Sequence, residues 1–165
     1  DPVLASTSGK MLLEPEGVRL MIERLLSRAT LVTPNLPELE LLTLAGHFDA
    51  SVQALMQIGI QAALIKGGHA NEAAPAGEMT ATRCTDLLIR PGQSPLAFDG
   101  PRHPGTLRGT GCMLASAIAC GLATERMLEG SIDAAKRYVS AIFRATLTPS
   151  PHTHSHQTHG DAPAR

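Results

Sequence analysis

Three short stretches of this chain hold the residue types that handle phosphate, and each lies at the start of a helical pattern or at the end of a strand-like run. The first is Arg108-Gly109-Thr110-Gly111-Cys112, which opens a long apolar helical stretch. Two glycines permit a tight turn whose backbone N–H groups converge. The positive end of the helix dipole adds to them, so the position suits a phosphate or a developing oxyanion. The pattern is neither the P-loop GxxxxGK[ST] nor GxGxxG. Cys112 falls on the first helical turn, where the dipole and Arg108 favour a thiolate, and such a group could serve as a base. The same residues also read as an ordinary strand-to-helix turn, with Cys112 a small buried hydrophobe.

The second stretch, Asn35-Leu36-Pro37-Glu38, puts an amide and a carboxylate on one helical turn. That pair could hold Mg²⁺ through water beside phosphates. It equally reads as a helix cap, with Asn35 at the N-cap and Glu38 facing the dipole. The third, Lys66-Gly67-Gly68-His69, follows the apolar run Ala62-Ala63-Leu64-Ile65. A cation then sits at a strand end beside backbone that can approach a ligand closely; the plainer reading is a surface lysine before a turn. Taken together, the three stretches could neutralise a polyphosphate and place a base next to it, which is the task of phosphoryl transfer.

The elements that must position these groups follow from periodicity. Val18, Met21, Ile22, Leu25 and Leu26 repeat at helical spacing behind Pro15, and Thr30 to Thr33 is a short β-prone run cut off by Pro34. Leu36, Leu39, Leu42 and Leu44 give the helix capped by Asn35 its apolar side. Asp49 and Ser51 start a further helix that Gly59 ends. Ala62–Ile65 is a continuous apolar strand, residues 70–85 have no period and read as an exposed loop or hairpin insertion, and Leu87–Ile89 and Leu96–Phe98 are short strands about a Pro91–Ser94 turn. Met113, Leu114, Ala117, Ile118, Gly121 and Leu122 line one helix face. Ser131 caps a last helix with the stripe Ile132, Ala135, Val139, Ile142 and Phe143. Apolar strands alternating with amphipathic helices predict an α/β fold with a parallel or mostly parallel sheet, and in such sheets ligands bind at the carboxyl ends of the strands.

Composition removes other classes. The 165 residues carry 14 Lys+Arg against 15 Asp+Glu, a net charge of −1, and only 2% aromatics. A nucleic-acid partner held by phosphate electrostatics or base stacking is not expected. Cys84, Cys112 and Cys120 are odd in number and form no CxxC knuckle, which points to a reducing cytoplasm. No run of 18 apolar residues suggests a membrane partner. The opening Asp1-Pro2-Val3-Leu4-Ala5 reads as the end of a strand, hence as a fragment. His152, His154, His156 and His159 belong to a tail that cannot bury anything and is expected to be disordered.

With Asp1-Pro2-Val3, Thr33-Pro34-Asn35-Leu36-Pro37-Glu38, Lys66-Gly67-Gly68-His69 and Gly109-Thr110-Gly111-Cys112 in that order, the chain resembles the C-terminal part of the hydroxymethylpyrimidine/phosphomethylpyrimidine kinases. These are ribokinase-like enzymes of thiamine biosynthesis, and the resemblance runs from residue 1 to about residue 147. It implies a three-layer αβα sandwich with a mostly parallel sheet, its N-terminal portion and most of the pyrimidine pocket missing, followed by a His-rich tail over 148–165. The resemblance also implies roles. Gly109, Thr110 and Gly111 would form the anion hole, and Cys112 would be catalytic. Asn35 and Glu38 would organise Mg²⁺ and phosphate, Lys66 would contact ATP phosphates, and Asp1 would stand near the metal and the γ-phosphate. Arg108 replaces the histidine common in the family. The implied reaction is ATP-dependent phosphorylation of hydroxymethylpyrimidine and then of its monophosphate, by a homodimer. Pyridoxine or pyridoxal kinases share the Gly-Thr-Gly-Cys loop, and a non-catalytic fragment that binds nucleotide is a further reading.

Overall fold

Every second residue of the run Ala62–Ile65 faces the same way, and both faces are apolar, so the strand must be covered on both sides. The computed structural model, which describes residues 1–6, 9–67, 83–104 and 107–147, shows this arrangement. Ala63 and Ile65 join one buried cluster with Leu39, Leu42 and Leu55, whereas Ala62 and Leu64 join another with Leu114, Ile118 and Ile132. Helices α1 (Pro15–Arg24), α2 (Leu36–Thr43) and α3 (Phe48–Gln57) cover the first face, and α4 (Thr110–Ala123) and α5 (Leu128–Leu147) the second. The α/β class and its three layers are as expected. No helix among the described residues is long and apolar enough to cross a membrane.

The sheet departs from expectation in direction. Its strands β1 (Ala63–Ile65), β2 (Arg83–Ile89) and β3 (Leu96–Pro101) run in the order β1-β2-β3, and both pairings are antiparallel. The turn between β2 and β3 is too short for a crossover, so it can join only antiparallel neighbours. Among the described residues, parallel pairing is confined to the segment before α2, bridged at Val32 to Ala63 and at Asn35 to Lys66.

Several local expectations shift. The run at 30–33 makes a bridge at Val32 rather than a full strand. Strand β2 begins at Arg83, inside the stretch read as loop, because Arg83, Thr85 and Asp86 hide its alternation. Helix α3 is capped by the His47 ring, which accepts the Ala50 N–H at 3.4 Å, and not by Asp49 or Ser51. Helix α5 starts at Leu128, and Ser131 lies fully buried inside it, its hydroxyl donating to the Met127 carbonyl and its side chain against Gly121 of α4. Leu44 ends α2 in a left-handed conformation, 86% exposed, and contributes nothing to the apolar side. The opening residues form no strand, though Leu4 is fully buried in the first cluster. Most of the 70–85 loop and the whole His-rich tail lie outside the described residues.

Candidate functional site

Three backbone hydrogen bonds assemble one end of the molecule. Val32 N–H donates to Ala62, Leu64 N–H to Val32 and Lys66 N–H to Pro34, at 2.8–3.0 Å. This short parallel ladder brings the end of β1 alongside the start of α2, so residues 35 and 66, far apart in sequence, become neighbours.

At the α2 start the capping box is complete. Asn35 Oδ1 accepts the Glu38 N–H at 2.8 Å, and Glu38 Oε2 accepts the Asn35 N–H at 2.9 Å. The helix-cap reading of this stretch is therefore correct. It does not exclude a second use, because the nearly buried Glu38 carboxylate also lies 3.9 Å from Lys66 Nζ. Lys66 Nζ makes its closer contact with Asp1, 2.9 Å to Oδ1, and Thr33 Oγ1 lies 3.5 Å from the same oxygen. The side chains of Lys66, Asp1 and Glu38 are only 14%, 10% and 9% exposed. Lys66 is thus a partly buried cation held by two carboxylates, and not the free surface lysine of the plainer reading. Burial pushes its ammonium below the ordinary 10.5, and Glu38 opposes that shift.

The turn before α4 comes up against this cluster. A Cβ on Gly111 would stand 3.0 Å from Lys66 Nζ and 3.2 Å from Asp1 Oδ2, so a larger residue there would push on the Lys66–Asp1 pair. Gly109, the N-cap, has a left-handed φ of 78°, and no side chain caps the helix, which leaves the first-turn N–H groups for a ligand or water. Cys112 is exposed next to them, which overturns its reading as a buried hydrophobe. Arg108 is exposed as well. Cys84 and Cys120 are also free thiols.

The structure therefore brings together Asp1, Asn35, Glu38, Lys66, Gly111 and Cys112, with Gly109 and Thr110 in the same turn. Among the described residues there is no cluster of three or more His, Cys, Asp or Glu side chains suited to a metal. Mg²⁺ beside phosphates, however, commonly takes one or two protein carboxylates, and Asp1 and Glu38 are two hard-oxygen donors on one lysine, a donor set that fits. A separate cleft of about 690 Å³ between α4 and α5, lined by Met113, Cys120 and Tyr138 among others, includes none of these residues.

Three contributors escaped the sequence reading. Thr33 touches Asp1. Asp86, 6% exposed on β2, accepts the Gly67 N–H at 2.9 Å through Oδ1, and its Oδ2 pairs with the Lys136 ammonium of α5. The available signal was one acid, Asp86, set in the strand-like run Thr85–Ile89.

Comparison with known proteins identifies the family. The family model described as phosphomethylpyrimidine kinase matches residues 1–158. A hydroxymethylpyrimidine/phosphomethylpyrimidine kinase of Rhizobium meliloti is 37% identical over 151 residues, 88% of this chain and 53% of that protein. Among solved structures, the phosphomethylpyrimidine kinase of Clostridium difficile aligns with a TM-score of 0.63 at 28% identity, covering 86% of this chain and 55% of that one. The pyridoxal kinase of Staphylococcus aureus, in complex with ADP, aligns with a TM-score of 0.71 at 26% identity, over 87% of this chain and 51% of that one. The chain spans about half the length of the relatives it matches. A match covering nearly all of its residues makes this chain a member of the phosphomethylpyrimidine kinase family.

Proposed function

We propose that the protein takes part in ATP-dependent phosphorylation of hydroxymethylpyrimidine and of its monophosphate, in thiamine biosynthesis. The observation that supports this best is the meeting of Lys66, Asp1 and Glu38 with the uncapped first turn of α4. A partly buried cation and converging N–H groups are what a transferring phosphoryl group needs, because its catalysis is mostly positioning and charge stabilisation. Lys66 and the turn Gly109-Thr110-Gly111 take up phosphate charge. Cys112, as the base, accepts the proton of the substrate hydroxyl while that oxygen bonds to the γ-phosphorus. The bond from phosphorus to the β-phosphate oxygen breaks, and ADP leaves. For the second phosphorylation the acceptor is already anionic and needs no strong base.

Asp1 and Glu38 would hold Mg²⁺, with Asn35 fixing the Glu38 carboxylate through the capping box. When bound, the ion supplies positive charge to the phosphate oxygens. The family resemblance also supports a cytoplasmic homodimer.

A second reading, phosphorylation of pyridoxal, is favoured by the overlap with the Staphylococcus aureus pyridoxal kinase. The test offers hydroxymethylpyrimidine, its monophosphate and pyridoxal in parallel with Mg-ATP. It compares this chain with a form extended upstream to the first in-frame Met. Preferred transfer to the pyrimidines in either form supports the proposal, and preferred transfer to pyridoxal replaces it. Mg-ADP binding with no transfer to any acceptor leaves a nucleotide-binding protein without turnover. In the active form, Cys112→Ala is expected to lower hydroxymethyl phosphorylation by about 10²–10⁴-fold, and unchanged turnover removes the thiol from that role.

A further inference from the structure

Lys66 works only if its ammonium points between Asp1 and the α4 turn, and a lysine side chain has four rotatable bonds with which to point elsewhere. Asp1 and Glu38 hold the end of that side chain, and the backbone of residues 66 and 67 fixes where it starts. On one side the Lys66 N–H is bound to the Pro34 carbonyl at 2.9 Å. On the other side β1 has ended: its last pair is Ile65 with Leu87, so the next position along β2 opposite residue 66 is Asp86. There the ladder is continued by a side chain. Asp86 Oδ1 accepts the Gly67 N–H at 2.9 Å.

The fit at this point is tight. A Cβ on Gly67 would collide with the Thr85 carbonyl oxygen, so the turn lies flat against the β2 backbone. Asp86 is 6% exposed, and a buried carboxylate must be matched by donors or a counter-charge. Gly67 N–H satisfies one oxygen and Lys136 the other. Lys136 matters for a second reason. An Asp86 carboxylate without it would be an uncompensated anion one residue from Lys66, able to draw that ammonium from Asp1.

We propose that Asp86 is a positioning residue for Lys66, holding its turn through the Gly67 N–H, and that Lys136 is the counter-ion that keeps Asp86 from competing for Lys66. The proposal rests on the reading of Lys66 as the phosphate-facing cation. Asp86 touches no substrate in it and acts only through the turn.

The test uses the full chain. Its only lysines are Lys10, Lys66 and Lys136, so three ammonium signals at most appear in a ¹H–¹⁵N spectrum of ¹⁵N-lysine-labelled protein. Lys66, held by two carboxylates, is expected to exchange slowly enough to be seen. Asp86→Ala should abolish that signal and weaken Mg-ADP binding by about tenfold or more, the cost of losing a hydrogen bond to a charged group. Asp86→Asn, which keeps an acceptor for Gly67, should retain the signal and stay within about threefold in affinity. Leu55→Ala, in the core of α3, serves as a destabilised control that should keep the Lys66 signal.

A Lys66 signal that survives Asp86→Ala, with Mg-ADP loss no greater than in Leu55→Ala, overturns the proposal. So does an unaltered chain that shows no Lys66 signal. Should Asp86→Ala fail to fold, Lys136→Met carries the test: it should remove the Lys66 signal, and a signal like that of the unaltered chain overturns the proposal. Absence of Mg-ADP binding in the unaltered chain defeats the nucleotide reading of the site, while the ammonium spectra still decide the role of Asp86.

Discussion

Two turns deliver charged groups to the same end of the sheet, and they are built in opposite ways. The Asn35–Glu38 turn closes on itself: both of its hydrogen bonds span three residues, and a single helical turn contains them. The Lys66–Gly67 turn contains almost nothing of its own. It is held by Pro34, Asp86 and the Thr85 backbone, while its side chain is held by Asp1 and Glu38. A local turn forms wherever its helix forms, whereas the assembled one exists only when α2, β2 and the chain start are all in place. Lys66 therefore belongs to the part of the candidate site that depends most on the rest of the fold.

Substitutions can separate the two. The largest effect is expected at Gly67→Ala, where the added carbon meets main chain that has no rotamer to change. A loss of about 3 kcal/mol or more, or failure to fold, should appear in chemical denaturation, and a smaller loss would mean that the turn tolerates displacement from β2. Asn35→Ala opens the local turn alone. It should cost about 1 kcal/mol, leaving the ¹H–¹⁵N signal of Lys66 in place. Loss of that signal would show that the two turns are less separate than their hydrogen bonds suggest.

A third, smaller effect concerns pH. Burial holds the Lys66 ammonium below 10.5, so between its folded value and 10.5 the unfolded chain binds a proton that the folded chain has released. Stability contributed by this group therefore rises with pH across that window, and the burial penalty is fully present below it. Thermal melting followed over the alkaline range should show that rise in the unaltered chain and its absence in Lys66→Met, whereas parallel curves would mean that Lys66 titrates as it does in the unfolded chain.

The same contrast explains which features were legible. Asn35 and Glu38 could be read because a cap is a rule about residues three apart. The apolar run 62–65 and the α4 stripe followed from periodicity. Lys66 was recognisable by its place after a strand, but its partner Asp1 is 65 residues away, and no spacing rule joins them. Asp86 and Lys136 are 50 apart and were missed for the same reason. Ser131 misled in the opposite sense: a good capping residue was present, but its small size serves the close approach to Gly121. The sheet direction was misjudged because helix-strand alternation suggests parallel strands, while the short Pro91–Ser94 turn between β2 and β3 can join only antiparallel neighbours.

Helix α4 carries no acidic or basic residue over its 14 positions, yet its Cys112, Ser116, Ala119 and Cys120 are exposed. The whole chain has a net charge of only −1. Two molecules meeting along this helix encounter no like-charge repulsion from its own residues, and sodium chloride has little repulsion there to screen. Sulfate acts through exclusion from protein surface and so penalises exposed apolar area directly. The chain should accordingly leave solution at lower concentrations of ammonium sulfate than a variant with Ser116→Glu and Cys120→Lys on that face, while moderate sodium chloride distinguishes the two only slightly.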